Sequence, residues 1–435
     1  MATARPQEYK FDQAEILSAA GTVIDVRGAL SELTIFENIE KPYLTGTILI
    51  TDTQNFIGQM GFTGTERFTV TISDGNTTAL TQSKTFVLTS IIRSEKTNDY
   101  TTVYAIQMIE ETAFISHITK ISQAFTGKPL DIIDNILSGM KSGYRLDRSQ
   151  LQEEPIQQAI RVITPYITPL QAVEWIRDRA TTEQGHPYFT YGSLKSQSVV
   201  VNNLANILRL GPWNSEPFVF SQGSTNKEIP GRENIYAING INNQNNDNTL
   251  SAIMNGAVTA NWNVLDIFRQ KFNSDQARKY SIEKLLPNNI VFNTDDVIND
   301  KPIGTYPAKE FYHLVATGLF SDDIGTYHMD KSLDDLSTKI NNKGLRNALL
   351  KNMMDIDVAG LPFLLSATGT VGTMMRINIL NNEINDTIDP KRSGNYIIMA
   401  IRHTFAEMKH SVNATVTKLV GDEADAVKIA GYANG

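Results

Sequence analysis

TGTILITDTQNFIGQM, residues 45–60, sets isoleucines at 48 and 50 against threonines at 47 and 51. A period of two belongs to a strand with one face buried. Ile48 and Ile50 are therefore expected to point into a core, and Thr47 and Thr51 away from it. Asp52 and Thr53 then turn the chain into a small amphipathic piece ending at Met60. The stretch holds no nucleophile, phosphate cradle or metal cluster, and reads as part of the wall of a first β-barrel.

The neighbouring sequence repeats the pattern. Phe68, Val70 and Ile72 alternate with Thr69 and Thr71 in ERFTVTISDG, and TFVLTSIIRSEK (85–96) and YTTVYAIQMIEE (100–111) follow, joined by the turn residues of KTND. Closely spaced, threonine-rich strands predict an antiparallel sandwich or barrel. The period then changes. Leu130, Ile133, Leu137 and Met140 share one helical face behind Pro129. TPLQ opens a second helix, with Thr168 as N-cap and Gln171 closing a capping box. Its expected buried stripe is Ala172, Val173, Ile176 and Ala180. Glu174, Arg177, Asp178 and Arg179 are left for solvent or a partner. PYFTYGSLKSQSVVV (187–201) predicts a hairpin around a polar turn.

NGINNQNNDNT (239–249) lacks periodicity and reads as an exposed linker. Strands return around IMNGAVTANWNVLDI, followed by a charged middle and a helix carrying Leu345, Ala348, Leu349 and Met353. TMMRINIL, NYIIMAIRHTF and SVNATVTKLV close the chain as three strands. The expected fold class is mixed β-rich α+β, with two antiparallel β-barrel domains carrying helical and hairpin insertions. Residues 1–115 form the main part of the first barrel, 116–187 a helical insertion, and 188–238 a hairpin and return to that barrel. Residues 239–280 are the linker and start of the second barrel, 281–350 a mixed helical insertion, 351–420 the second barrel, and 421–435 a flexible C-terminal tail.

A chain of 435 residues calls for more than one core. Its 39 basic and 47 acidic residues leave a net charge of −8, which argues against a surface that grips nucleic-acid phosphates. There is no cysteine, so disulfides, thiolate metal sites and cysteine nucleophiles are excluded. The first residues lack a secretory apolar region, and no apolar run approaches the ~18 residues of a membrane span.

Several groups invite a chemical reading. His403, Glu407 and His410 lie close in sequence, but their spacing is not that of a zinc helix. They are expected to be surface polar residues bracketing a hairpin, with Glu407 near its tip. The Asp pairs 295–296, 322–323 and 334–335 lack the separation of acid/base carboxylates and any calcium-loop pattern. They are assigned to solvated loops or helix starts. FTGK (125–128) is an incomplete phosphate loop, and no G-x-S-x-G elbow occurs. Trp175, Trp213 and Trp262 read as packing anchors, and Tyr188, Phe189 and Tyr191 as hairpin packing rather than a stacking platform. No catalytic, cofactor-binding or metal-binding residue is assigned, and no cofactor is expected.

SELTIFENIEKPYLTGTILITDTQNFIGQMGFTGTERFTVTI (31–72) resembles the N-terminal barrel of baseplate hub proteins from contractile-tailed bacteriophages. TPLQAVEWIRDRA followed by YFTYGSLKSQSVVV resembles the helix and hairpin after that barrel, and VGTMMRINI and SGNYIIMAIRHTF its closing strands. Residues 281–340 do not match. The resemblance implies two tail-tube-like barrels per subunit and a homotrimer closing a pseudo-sixfold ring. Such a ring adapts the hexameric tail tube to the trimeric central spike and leaves an axial channel. It implies a non-enzymatic protein of the virion tail baseplate, assembled in the host bacterial cytoplasm. The implied partners are the tail tube protein, the central spike protein, the C-terminal end of the tape measure protein and baseplate wedge proteins. DNA would be met only in transit, and no membrane anchoring is implied. Two physical points agree: strands paired between subunits bury free edges, and threonine-rich strands suit a wall with one wet face. The alternatives are the hub of a phage-like contractile injection system or type VI secretion spike delivering proteins, and a glycan-binding or cell-wall-degrading tail protein.

Overall fold

The computed structural model describes residues 9–74, 81–151, 159–220, 234–243, 249–266, 271–286, 297–306, 309–315, 333–380, 388–390 and 392–420. Seven strands come first: β1 (Lys10–Leu17), β2 (Val23–Asp25), β3 (Leu30–Asn38), β4 (Thr45–Asp52), β5 (Glu66–Ser73), β6 (Gln82–Asn98) and β7 (Thr101–Glu110). They pair antiparallel in the order β3-β4-β7-β6-β5-β1-β2. Their inward residues wrap one core, in which Ile48, Ile50, Phe68, Val70, Ile72 and Phe86 are almost wholly shielded. The period-two reading of β4 and β5 holds in both directions, since Thr47, Thr51, Thr69 and Thr71 sit half-exposed on the opposite face. β6 and β7 form the expected hairpin, whose ladder runs out to Asn98–Thr101.

The corner after β4 has a specific cause. Buried Asp52 accepts hydrogen bonds from the N–H groups of Gln54, Phe56 and Ile57 at 3.0, 3.2 and 3.0 Å. It thereby collects the unpaired donors that open α1 (Phe56–Met60). Glu66 does the same at the start of β5, accepting from the N–H groups of Thr63, Gly64 and Thr65. Burial alone would push its carboxyl up, but these donors hold it below the usual range.

The large antiparallel sheet does not end with the first half. Strand Gly394–Ala406, the seam strand, pairs with Lys409–Thr417 along its length on one side. On the other side its first residues pair with Met374–Ile379, and its last, Ala400–Ala406, pair with β3. The exchange of partner falls at a bulge between Ile398 and Ala400, where the Met399 carbonyl accepts from Ile39 N–H at 2.9 Å. Met353–Ala359 and Ile238–Asn243 extend the sheet beyond Lys409–Thr417. A second core lies on this half, with Phe363, Ile377, Ile398 and Val416 among its members. One sheet therefore serves two cores. No ladder joins β1 to β3 among the described residues, so the sheet wraps the first core without a closing pair.

A third core joins the helices to the hairpin that follows. The helices are α2 (Glu111–Ile118), α3 (Pro129–Met140) and α4 (Pro169–Arg177). The Thr168–Gln171 capping box forms as read, and Ala172, Val173, Ile176 and Ala180 are all fully buried. In α3, Leu130, Ile133 and Leu137 are buried together with Ile132 and Ile136, while Met140 is only half-buried.

Several expectations are corrected. The strands Tyr188–Tyr191 and Val199–Asn203 make the hairpin, but they pair onward with Leu146–Asp147 and not with the first sheet. Strand Phe218–Phe220 pairs with Met374–Ile379 in the second half. The asparagine-rich linker begins as an edge strand, Ile238–Asn243, because its outer edge can stay wet while Met353–Ala359 supplies the ladder. Met353 starts that partner strand; the helix carrying Leu345 ends at Leu349. Thr259–Asp266 joins Lys271–Ser281 and Lys309–Val315 in a separate sheet instead of starting the sheet of the second half. Residues 421–435 lie outside the described residues.

Candidate functional site

Two features stand out: a hydroxyl-rich sheet face, and the junction beneath it where the halves meet. On the outward face of the large sheet, Thr47 is paired with Thr34 and Gln107. Thr69 and Thr85 hydroxyls are 3.2 Å apart, Thr71 and Ser83 3.1 Å, and Ser31 and Thr51 2.6 Å. Hydroxyl partners of this kind leave the face wettable. Toward the seam it continues as Asn413 and Thr415, which donate to Asp357 and Asp355 at 2.8 and 2.6 Å. A cleft of about 490 Å³ opens there, lined by Phe36, Lys41, Tyr43, Arg402 and Asn413 among others.

The helical insert covers the other part of that face, where Ile109 and Tyr43 pack on its core. The charged side of α4, expected to face solvent or a partner, meets partners within the chain. Lys41 pairs with Glu174 at 3.2 Å, and buried Arg177 pairs with Glu40 at 3.0 Å and Asp178 at 2.9 Å. Arg346, from the helix Leu333–Leu349, reaches the same Glu40. Trp175 stacks under the Arg179 guanidinium at 3.6 Å.

The polar hairpin tip is the fastener of the junction. Leu194 N–H donates to Glu37 Oε1 at 2.8 Å, and Thr370 Oγ1 donates to Glu37 Oε2 at 2.7 Å. Ser193 and Thr370 hydroxyls are 2.7 Å apart. Lys195 Nζ donates to the carbonyls of Phe363 and Ser366, and burial pushes its ammonium down to about 8 against the pull of Glu37. On the other side, Lys84 forms a 3.0 Å ion pair with Glu110 and donates to the Ser196 carbonyl. The tip therefore holds the first sheet through Glu37 and Lys84, and the second half through Thr370, Phe363 and Ser366.

His403 and His410 meet this junction and are not surface residues: they are 4% and 0% exposed. Glu407 does sit in the tight turn, with Glu407 and Met408 both left-handed at φ 50° and 60°. The two imidazoles instead point into the core, where His410 stacks on Phe405 with ring centres 4.2 Å apart. His403 Nδ1 lies 3.1 Å from His410 Nε2, and His403 Nε2 lies 3.7 Å from Glu37 Oε1. Burial, reinforced by His403 and Lys195, holds His410 well below the ordinary imidazole value. Burial would raise Glu37, but His403, the Leu194 N–H and Thr370 outweigh it and hold the carboxyl low. The sequence signal for this pair was weak. Only the alternation of His403 with Phe405 and Ile401 along one strand places it on an inward face.

The remaining chemical candidates separate. Phe125–Gly127 lies within strand Ala124–Gly127, and Lys128 precedes α3 in extended conformation, so no phosphate loop forms. Asp334 and Asp335 fall in the first turn of the helix Leu333–Leu349. Asp295–Asp296 and Asp322–Asp323 lie outside the described residues. Tyr188, Phe189 and Tyr191 are fully buried packing residues, and Trp262 stacks on Phe311 at 4.5 Å. Among the described residues no cluster of three or more His, Asp or Glu is placed to hold a metal. No described helix is long and apolar enough to cross a membrane.

No protein-family model matches the chain, and no curated protein matches it in sequence. Solved structures do. A tail protein from Neisseria meningitidis MC58 aligns with TM-score 0.56 at 13% identity, over 94% of this chain and 97% of that one. The 43 kDa tail protein of prophage MuSo2 from Shewanella oneidensis aligns with TM-score 0.52 at 9% identity, over 94% and 98%. A component of the E. coli type VI secretion system aligns at TM-score 0.46 and 9% identity, over 94% and 76%, below the level at which a shared fold follows. The resemblance read from residues 31–72 and the closing strands agrees with these neighbours: nearly the whole chain is similar in fold to phage-type tail proteins.

Proposed function

We propose that this chain is a structural hub of a contractile-tail baseplate. Three copies form a pseudo-sixfold ring from two tail-tube-like barrel units each. The ring adapts the hexameric tail tube to the trimeric central spike and leaves an axial channel for DNA. It works without catalysis, in the virion tail, beside the C-terminal end of the tape measure protein and the baseplate wedge proteins. The observation that carries this reading is the near full-length fold likeness to two tail proteins.

Supporting it are two cores on one continuous sheet, in keeping with two β units in each copy. The hydroxyl-rich outward face and the net charge of −8 suit a wall past which a polyanion slides without being held. The test is imaging of the purified protein incubated with its central spike. Class averages down the axis should show a six-lobed ring from three copies. Single particles that never close a ring would overturn the proposal.

A further inference from the structure

The His403–His410 contact ties both halves of the sheet to the hairpin tip. At 3.1 Å, one of the two facing nitrogens must donate and the other accept. With both rings neutral, one arrangement satisfies each contact. The His403 Nε2–H faces Glu37, the bare His403 Nδ1 accepts from His410 Nε2–H, and His410 Nδ1 stays bare. That last nitrogen is buried and has no partner. It packs against Gly360, where an added Cβ would stand 2.0 Å from it.

Two protonated rings would set N–H against N–H across the same contact. Lys195 adds a third positive charge nearby, and Glu37 is the carboxylate that answers them. The other titratable groups on packed elements are Tyr9, edge-on to Phe405 at 5.1 Å, and Tyr191, raised by burial and then by the Glu37 charge. The helix Leu361–Leu365 contributes only the Phe363 ring, edge-on to His403.

We propose that the His403–His410 pair is an acid-operated latch on the Gly192–Gln197 tip. When both rings are protonated the pair parts, Lys195 is driven off the Phe363 and Ser366 carbonyls, and the tip releases Glu37 and Thr370. The tip then no longer fastens the two halves of the sheet to each other. This inference is independent of the hub reading, because it concerns one copy of the chain.

The test is hydrogen exchange by mass spectrometry on the full chain from pH 7.5 to 5, corrected for the intrinsic pH dependence of exchange. Each proton taken up makes opening about tenfold more favourable per pH unit. Protection across Tyr188–Asn203 should therefore fall by at least about tenfold per unit below pH ~6.5, while Thr45–Asp52 stays protected. In His410→Phe, which keeps the ring stack, the fall should vanish. Should that variant fold poorly, exchange of the imidazole C2 hydrogens in the unaltered chain gives the same answer, and the loss of tip protection must follow His410 titration. Unchanged protection down to pH 5, an equal fall in His410→Phe, or a fall that does not follow His410 would each overturn the latch.

Discussion

Replacing Lys84 by methionine tests the fastening of the hairpin tip to the first sheet. Lys84 and Glu110 are 2% and 7% exposed along their side chains, with Nζ and Oε1 3.0 Å apart. Glu110 also accepts from Leu44 N–H at 2.9 Å, and Lys84 donates to the Ser196 carbonyl. Unit charges at that distance attract by about 5 kcal/mol at an effective dielectric near 20. Lys84→Met fills much of the same volume but strands the Glu110 carboxylate, so the expected loss is about 3–5 kcal/mol. Glu110→Gln in the same chain removes the stranded charge and keeps an acceptor for Leu44. The double variant should therefore recover at least half of the loss. Melting entropy scales at roughly 2 cal/mol/K per residue, so for 435 residues a 4 kcal/mol loss lowers Tm by about 4 °C. Differential scanning calorimetry of the four proteins at pH 7 reads this directly. Additive losses, with the double variant no better than Lys84→Met, would refute the idea that the pair is coupled.

Ile176→Asp puts a carboxylate into a fully buried stripe, and chemical denaturation should show a loss of several kcal/mol, against at most ~1.5 for Ile176→Val. His186 is buried beside Thr182, and burial pushes its imidazole down to about 4. The unfolded ring takes its proton near 6.5, so its contribution is complete above that pH and is lost as pH falls toward 4. Urea unfolding between pH 7 and 4 should show about 3 kcal/mol of this loss, absent in His186→Asn. Gly46→Ala would bring a Cβ to 2.3 Å from the Thr34 carbonyl, so β3 and β4 must part; the variant should melt several degrees lower in a thermal shift assay.

How far the sequence could be read follows from which forces are local. The period-two strands β4 and β5, the β6–β7 hairpin and the Thr168–Gln171 box each rest on neighbours in the chain, and each forms as read. The exchange of partners by the seam strand at Met399 depends on β3, more than 350 residues earlier, and no local pattern encodes it. Residues 239–243 read as linker because the stretch is asparagine-rich and aperiodic, yet a ladder partner overrides that weak preference at an edge. The buried polar groups were the hardest to see. Glu37, Lys84, His403 and His410 carry the composition of a surface, and only tertiary partners make their burial affordable.

The central claim is that the chain is one part of a threefold hub. The direct measurement is absolute molar mass by light scattering after size exclusion, for the protein alone and mixed with its central spike. The account predicts three copies of the 48.3 kDa chain per particle, with the mass of the spike added to theirs in the spike-bound sample. A mass of one chain in both samples would contradict it.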